Sequence, residues 1–180
     1  MLIPPEWRIK ANNKVNEILK EAADCGLFKI PIPITDIIES YVGDVQIAQR
    51  LDIPFPESTS AFSTKDMHAG WIVAINEREV IERQRFSAGH ELAHMVLFPN
   101  QPKTVYCSAN SKTWDERLCD EFSGNILMPE VVIREIYKTT PAVYIEDIAK
   151  IFKVSLDVAK IQLKKLGLSF AVKVPKLGGF

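Results

Sequence analysis

His90 and His94 stand four residues apart in the stretch Ser87-Ala-Gly-His-Glu-Leu-Ala-His94, with Glu91 directly after the first. On a helix, side chains at i and i+4 share a face, so the two imidazoles could hold one Zn2+ between them. Glu91 would then sit about 100° round the helix, close enough to reach a metal-bound water without displacing it. Two nitrogen donors, a water and an adjacent carboxylate are the parts of metal-assisted hydrolysis, with Glu91 as general base. The bland alternative is a surface helix with incidental histidines. Patterning argues against it: Phe86, Gly89, Leu92, Ala93, Val96 and Leu97 cluster opposite Ser87, His90, Glu91 and His94. Gly89 in mid-helix costs about 1 kcal/mol relative to alanine, which points to close packing at that position.

A zinc hydrolase needs three protein ligands and an open position. The metzincin pattern HExxHxxGxxH would add a third histidine, but the corresponding positions hold Leu97 and Asn100. That class is excluded, and a carboxylate from a second helix becomes the expectation, a gluzincin-like arrangement. Trp114-Asp-Glu-Arg-Leu-Cys-Asp-Glu-Phe122 supplies the candidates. Glu116 and Asp120 share a face, so Glu116 is expected to bind the metal while Asp120 accepts the free N–H of a ligating histidine and fixes its tautomer. Glu121 competes for the ligand role. It lies about 140° from Glu116 and reads as a solvated side chain, turned from the apolar stripe of Leu118, Cys119, Phe122 and Ile126. Cys119 could approach the metal, but its place on that stripe favours a small buried hydrophobe. Such a His2Glu set suits Zn2+, and Mn2+ or Fe2+ can occupy it as well.

The elements that must carry these groups are legible in outline. Apolar spacing predicts a helix over residues 6–26, stopped by Gly26. Ile30-Pro-Ile-Pro-Ile34 is extended, and Thr35 is expected to cap a short helix running to Tyr41. Val45-Gln-Ile-Ala48 reads as a strand and residues 54–58 as a turn. A second β stretch has Trp71-Ile-Val-Ala-Ile75 as its strongest strand, closed by Asn76 and taken as an edge on which a substrate could lie extended. The helix of the histidines runs from about Glu79 to Phe98. A loop over 99–113 leads to a helix over 115–127, and Pro129 opens another ending at Lys138. Two short helices, 144–152 and 156–166, are joined by Lys153-Val-Ser155, and Leu168–Val174 reads as a strand. The expected class is α+β: a small mixed or antiparallel sheet beside active-site helices over residues 1–140, with a helix-turn-helix-like segment over 141–180.

Composition narrows the setting. With 180 residues, 47% hydrophobic and 25% charged, the chain is an ordinary globular one, and a net charge of −1 argues against whole-molecule electrostatic binding of nucleic acid. The charge is uneven: from Lys150 onward seven lysines face one acid, Asp157. No apolar run nears the ~20 residues of a membrane span, and the N-terminus does not read as a secretory signal. Three scattered cysteines argue against a disulfide scaffold and for the reducing cytoplasm. The helix pair over 144–166, with Ser155 as a cap, has the outline of a DNA reader. Leu156-Asp157-Val158 nevertheless stands where a reader would offer Arg, Asn or Gln, so direct DNA binding is disfavoured against docking of a protein partner.

Arg83-Gln-Arg-Phe-Ser-Ala-Gly-His-Glu-Leu-Ala-His94 and Glu116-Arg-Leu-Cys-Asp-Glu-Phe-Ser-Gly-Asn-Ile-Leu-Met-Pro129 together resemble the ImmA/IrrE family of metallo-endopeptidases. A strand ending in Asn76 and a tail such as Asp147-Ile-Ala-Lys-Ile-Phe-Lys-Val-Ser155 are also usual there, so the likeness spans roughly residues 70–168. The chain departs from the family at Leu118, where a second Glu is frequent, at Cys119, where Ala is usual, and at Gly89. None of these removes a proposed ligand, and losing the second Glu leaves Glu116 less contested. The resemblance implies a zincin-like core and a regulatory protease of bacterial or phage type that cuts a helix-turn-helix repressor. The alternative is a non-proteolytic, metal-containing regulator or antitoxin-like protein that only binds its partner. His68, Tyr106 and Arg85 are oxyanion donors by type alone.

Overall fold

A computed structural model describes residues 2–43, 45–49, 59–66, 70–100 and 113–173. The first helix, α1 (Pro5–Asp24), opens on a proline, whose fixed φ suits a first turn, and buries Ala11, Val15, Ile18 and Ala22 along one stripe. Gly26, at φ 74°, then turns the chain away. Next comes α2 (Ile34–Val42), whose N-terminal cap is Pro33 rather than Thr35. The helix starts earlier than expected because Ile34, Ile37 and Ile38 are all buried, and this recruits Ile34 into the first turn. The Thr35 hydroxyl donates instead to Asp36 Oδ1 at 3.3 Å.

Three strands follow, β1 (Val45–Gln49), β2 (Ala61–Asp66) and β3 (Gly70–Ile75), in the order β1-β3-β2. Pairing is parallel between β1 and β3 and antiparallel between β2 and β3, so the sheet is mixed. The expectation that Trp71–Ile75 forms an edge is therefore corrected: β3 is the middle strand. Its unbroken apolar run explains the place, since Val73, Ala74 and Ile75 are all buried, on both faces of the sheet. β2 alternates instead and takes an outer position. The expected turn at 54–58 and the loop over 101–112 lie outside the described residues.

The helical half comprises α3 (Ile81–Leu97), α4 (Trp114–Leu127), α5 (Glu130–Thr139), α6 (Ile145–Phe152) and α7 (Leu156–Lys165), so the described residues form an α+β fold of seven helices and one small sheet. α3 and α4 pack most intimately. Gly89 makes this possible: a Cβ there would stand 2.6 Å from Ser123 Oγ, and that hydroxyl donates to Phe86 O at 2.7 Å. Trp7 stacks on Phe98 with centroids 5.0 Å apart and Trp114 closes the cluster, pinning α1 across the ends of α3 and α4. Ser155 caps α7 by accepting from the Val158 N–H at 3.2 Å. α7 in turn sets Gln162 over Gly124 of α4. The strand expected over Leu168–Val174 reduces to a single bridge, Tyr144 to Ala171. The segment bonds to Val143 and Ile145 just where α6 begins, and among the described residues it pairs with no further strand. No helix among the described residues is long and apolar enough to cross a membrane.

Candidate metal centre

α3 is sandwiched between the sheet and α4, and Ser87 through Met95 are all buried. This differs from the two-faced helix expected from patterning. The polar face is covered as well, because α4 packs its own carboxylates against the histidines instead of leaving them to solvent. His90, Glu91, His94 and Glu116 are each less than a tenth exposed.

The two histidines and Glu116 come together at their ligating atoms. His90 Nε2 lies 3.1 Å from His94 Nε2 and 3.2 Å from Glu116 Oε2, while His94 Nε2 lies 3.3 Å from Glu116 Oε1. Donors bound tetrahedrally to zinc at its usual bond lengths would stand about 3.3 Å apart, close to each of these separations, with the two oxygens of Glu116 each facing one imidazole. Asp120 Oδ1 sits 3.0 Å from His90 Nδ1. An N–H there donates to the carboxylate, which directs the Nε2 lone pair of the neutral ring toward Glu116 and His94. Imidazole nitrogens and a buried carboxylate converging at such distances are held together by a shared proton or by a cation between them. A divalent cation fits that donor set. Glu91 is buried beside them, and its Oε2 accepts a hydrogen bond from Ser63 Oγ at 2.6 Å.

The structure thus brings together His90, His94, Glu116 and Asp120, with Glu91 adjacent. Glu121, the competitor, points elsewhere. It accepts from Arg8 Nε and Nη2 at 2.9 and 2.8 Å and faces Lys165 at 3.7 Å, so it is an ion-pair anchor for α1 rather than simply solvated. Arg85 is not an available oxyanion donor. Its guanidinium donates to Ile32 O at 2.8 Å and to Lys153 O at 3.2 Å, and burial lowers its pKa. His68, Tyr106 and Cys107 lie outside the described residues. Cys119 is fully buried, as its stripe position predicts, and burial pushes its thiol pKa up, with the neighbouring His94 opposing that shift. Its ligating atom also lies within 4.8 Å of those of His90 and His94. Ser63 escaped the sequence reading. Its signal was available in Ala61-Phe-Ser-Thr-Lys-Asp66, where it is the polar residue on the same inward face as Ala61.

The peptidase M78 family, described as the IrrE N-terminal-like domain, has a family model that matches residues 48–164. No curated protein matches the chain. Among solved structures, a Mycobacterium tuberculosis transcriptional regulator superposes with a TM-score of 0.58 at 11% identity, over 98% of this chain and 50% of that one. That likeness is one of fold, and the chain spans about half the regulator's length.

Proposed function

This chain belongs to the M78 family of metallopeptidases, the ImmA/IrrE type, and from that premise we propose that it is a zinc-dependent endopeptidase acting on a regulatory protein. The observation that carries the reading is the convergence of His90, His94 and Glu116 at 3.1–3.3 Å, with Asp120 behind His90. Bound there, a zinc ion would supply Lewis acidity, making a water more acidic and polarising the scissile carbonyl. The protein's own groups do the rest. Glu91 takes the proton from the attacking water and delivers it to the leaving amine. Ser63, donating to Glu91 Oε2, leaves the other carboxylate oxygen for that proton and holds the group in place. Asp120 keeps His90 in one tautomer through its Nδ1–H.

The outer edge of β2 offers the docking line for an extended substrate. β3 occupies its other edge, and no strand pairs with the outer one among the described residues. The helix pair α6–α7 is disfavoured as a DNA reader, since α7 opens on Leu156-Asp157-Val158 and turns Gln162 and Lys165 onto Asn125 of α4, at 3.0 and 2.9 Å; docking of a protein partner is the reading we favour. A helix-turn-helix repressor is the substrate class we favour, in a cytoplasmic setting consistent with free Cys25 and Cys119. The test is to incubate the protein, loaded with zinc or manganese, with the repressor encoded beside it. Cleavage is expected, and E91Q should keep its metal while producing no fragments. Undiminished proteolysis by E91Q would refute the assignment of Glu91. Tight binding without any cleavage by the parent chain would favour a pure binding protein.

A further inference from the structure

We propose that Cys119 is a fourth protein ligand to the ion held by His90, His94 and Glu116, its thiolate taking the position that a hydrolytic centre otherwise leaves to water. The inference rests on the metal-centre reading above and adds a donor to it. Glu116 and Cys119 are three residues apart on α4, so their side chains share a face, and Glu116 already presents its oxygens to both histidines at 3.2 and 3.3 Å. The Cys119 sulfur lies within 4.8 Å of the ligating atoms of both rings. In a tetrahedral zinc site, a sulfur and a nitrogen donor stand about 3.5 Å apart. With the sulfur at most 4.8 Å from either nitrogen, closing that gap asks for a movement on the order of 1 Å. The helix itself cannot drift, because Ser123 is wedged against Gly89 and Asp120 is bonded to His90.

A buried thiol with no cation beside it is inert. Next to a divalent ion the same thiol is deprotonated outright. The S–H proton leaves to solvent, the sulfur lone pair bonds the metal, and no oxidant is required. Two consequences follow for this chain. A soft thiolate biases the centre toward Zn2+ over Mn2+ or Fe2+. The resting centre would also carry four protein ligands, so that a catalytic water needs a fifth position, which zinc accommodates. A cysteine that merely fills space would produce neither effect.

Cobalt(II) reports on this directly. The metal-stripped full-length protein is titrated with Co2+ and its absorption spectrum recorded. Visible ligand-field bands of a low-symmetry site, together with an intense near-ultraviolet sulfur-to-cobalt charge-transfer band, are expected. The near-ultraviolet band should persist in the C25S/C107S double variant and vanish in C119S, while the visible bands remain. Zinc should also outcompete manganese by about tenfold less in C119S than in the parent chain. Ligand-field bands without the charge-transfer band in the parent chain, or a band that survives in C119S, would overturn the role of Cys119 and leave the His2Glu centre intact. Failure to retain any cobalt would overturn the metal centre itself, and Cys119 with it.

Discussion

Substituting Gly89 by alanine tests the packing on which the whole centre depends. The new Cβ would lie 2.6 Å from Ser123 Oγ and 3.3 Å from Ser123 Cα and Cβ. Ser123 is fully buried and its hydroxyl donates to Phe86 O at 2.7 Å, so it can swing away only by giving up that bond. The lost hydrogen bond costs about 1 kcal/mol. Overpacking between α3 and α4 costs about 1–3 kcal/mol more. Against these stands the helix propensity gained on replacing glycine, about 1 kcal/mol. The balance is a destabilisation of about 1–3 kcal/mol, which for a chain of this size lowers Tm by roughly 2–12 °C. Thermal melts of the metal-stripped protein isolate the packing effect from ligand binding. The double variant G89A/S123A removes the hydroxyl and leaves only the 3.3 Å contacts, so it should recover at least half the loss. A G89A protein that melts higher than the parent, by the full helix-propensity gain, would show that α3 and α4 are not in contact there and refute the reasoning.

Four further outcomes are expected. G124A should change stability by less than about 1 kcal/mol, because its Cβ meets the flexible end of Gln162 rather than backbone, at 2.8 Å from Nε2; urea melts decide this. D120A should weaken zinc binding by about 10–100-fold in chelator competition, since the His90 Nδ1–H loses its acceptor; unchanged affinity would remove Asp120 from the centre. Zinc at a hundred times its Kd should stabilise the protein by about 2.7 kcal/mol, a rise in Tm of about 5–11 °C that a chelator reverses. S63A should leave zinc affinity unaltered while slowing cleavage by about tenfold, because the general base is loosened rather than removed; an equal loss in metal uptake would count against a role confined to Glu91.

What could be read along the chain was what depends on local periodicity. The bounds of α3 and α4 followed from apolar spacing and from Pro99 and Pro129. The choice of Glu116 over Glu121 followed from helical phase, and both side chains point as that phase requires. The sequence was silent where contacts bridge distant segments. That β3 lies between β1 and β2 depends on pairings no local pattern encodes, since a strong apolar strand reads alike at an edge or in the middle. Ser63 reaches Glu91 across 28 positions, and Arg8 reaches Glu121 across 113. The burial of the polar face of α3 was hidden for a related reason. Histidine and glutamate read as surface residues until another element is known to cover them with complementary groups. Thr35 shows the opposite failure, a good capping residue overruled by the burial of Ile34.

The enclosure of α3 bears on how the centre acquires and keeps an ion. Nine consecutive residues, Ser87 to Met95, are buried. Backbone amides in such a segment exchange with solvent only when the molecule opens globally, so they should be among the slowest in the chain. The entropy of arranging His90 and His94 is then spent during folding, before any metal arrives, and an incoming ion meets donors already in position. Because the ion enters a folded site, it also leaves from one: loaded protein should surrender its metal to a chelator while the amides of Ser87 to Met95 stay protected, so that metal exchange and amide exchange report two separate motions.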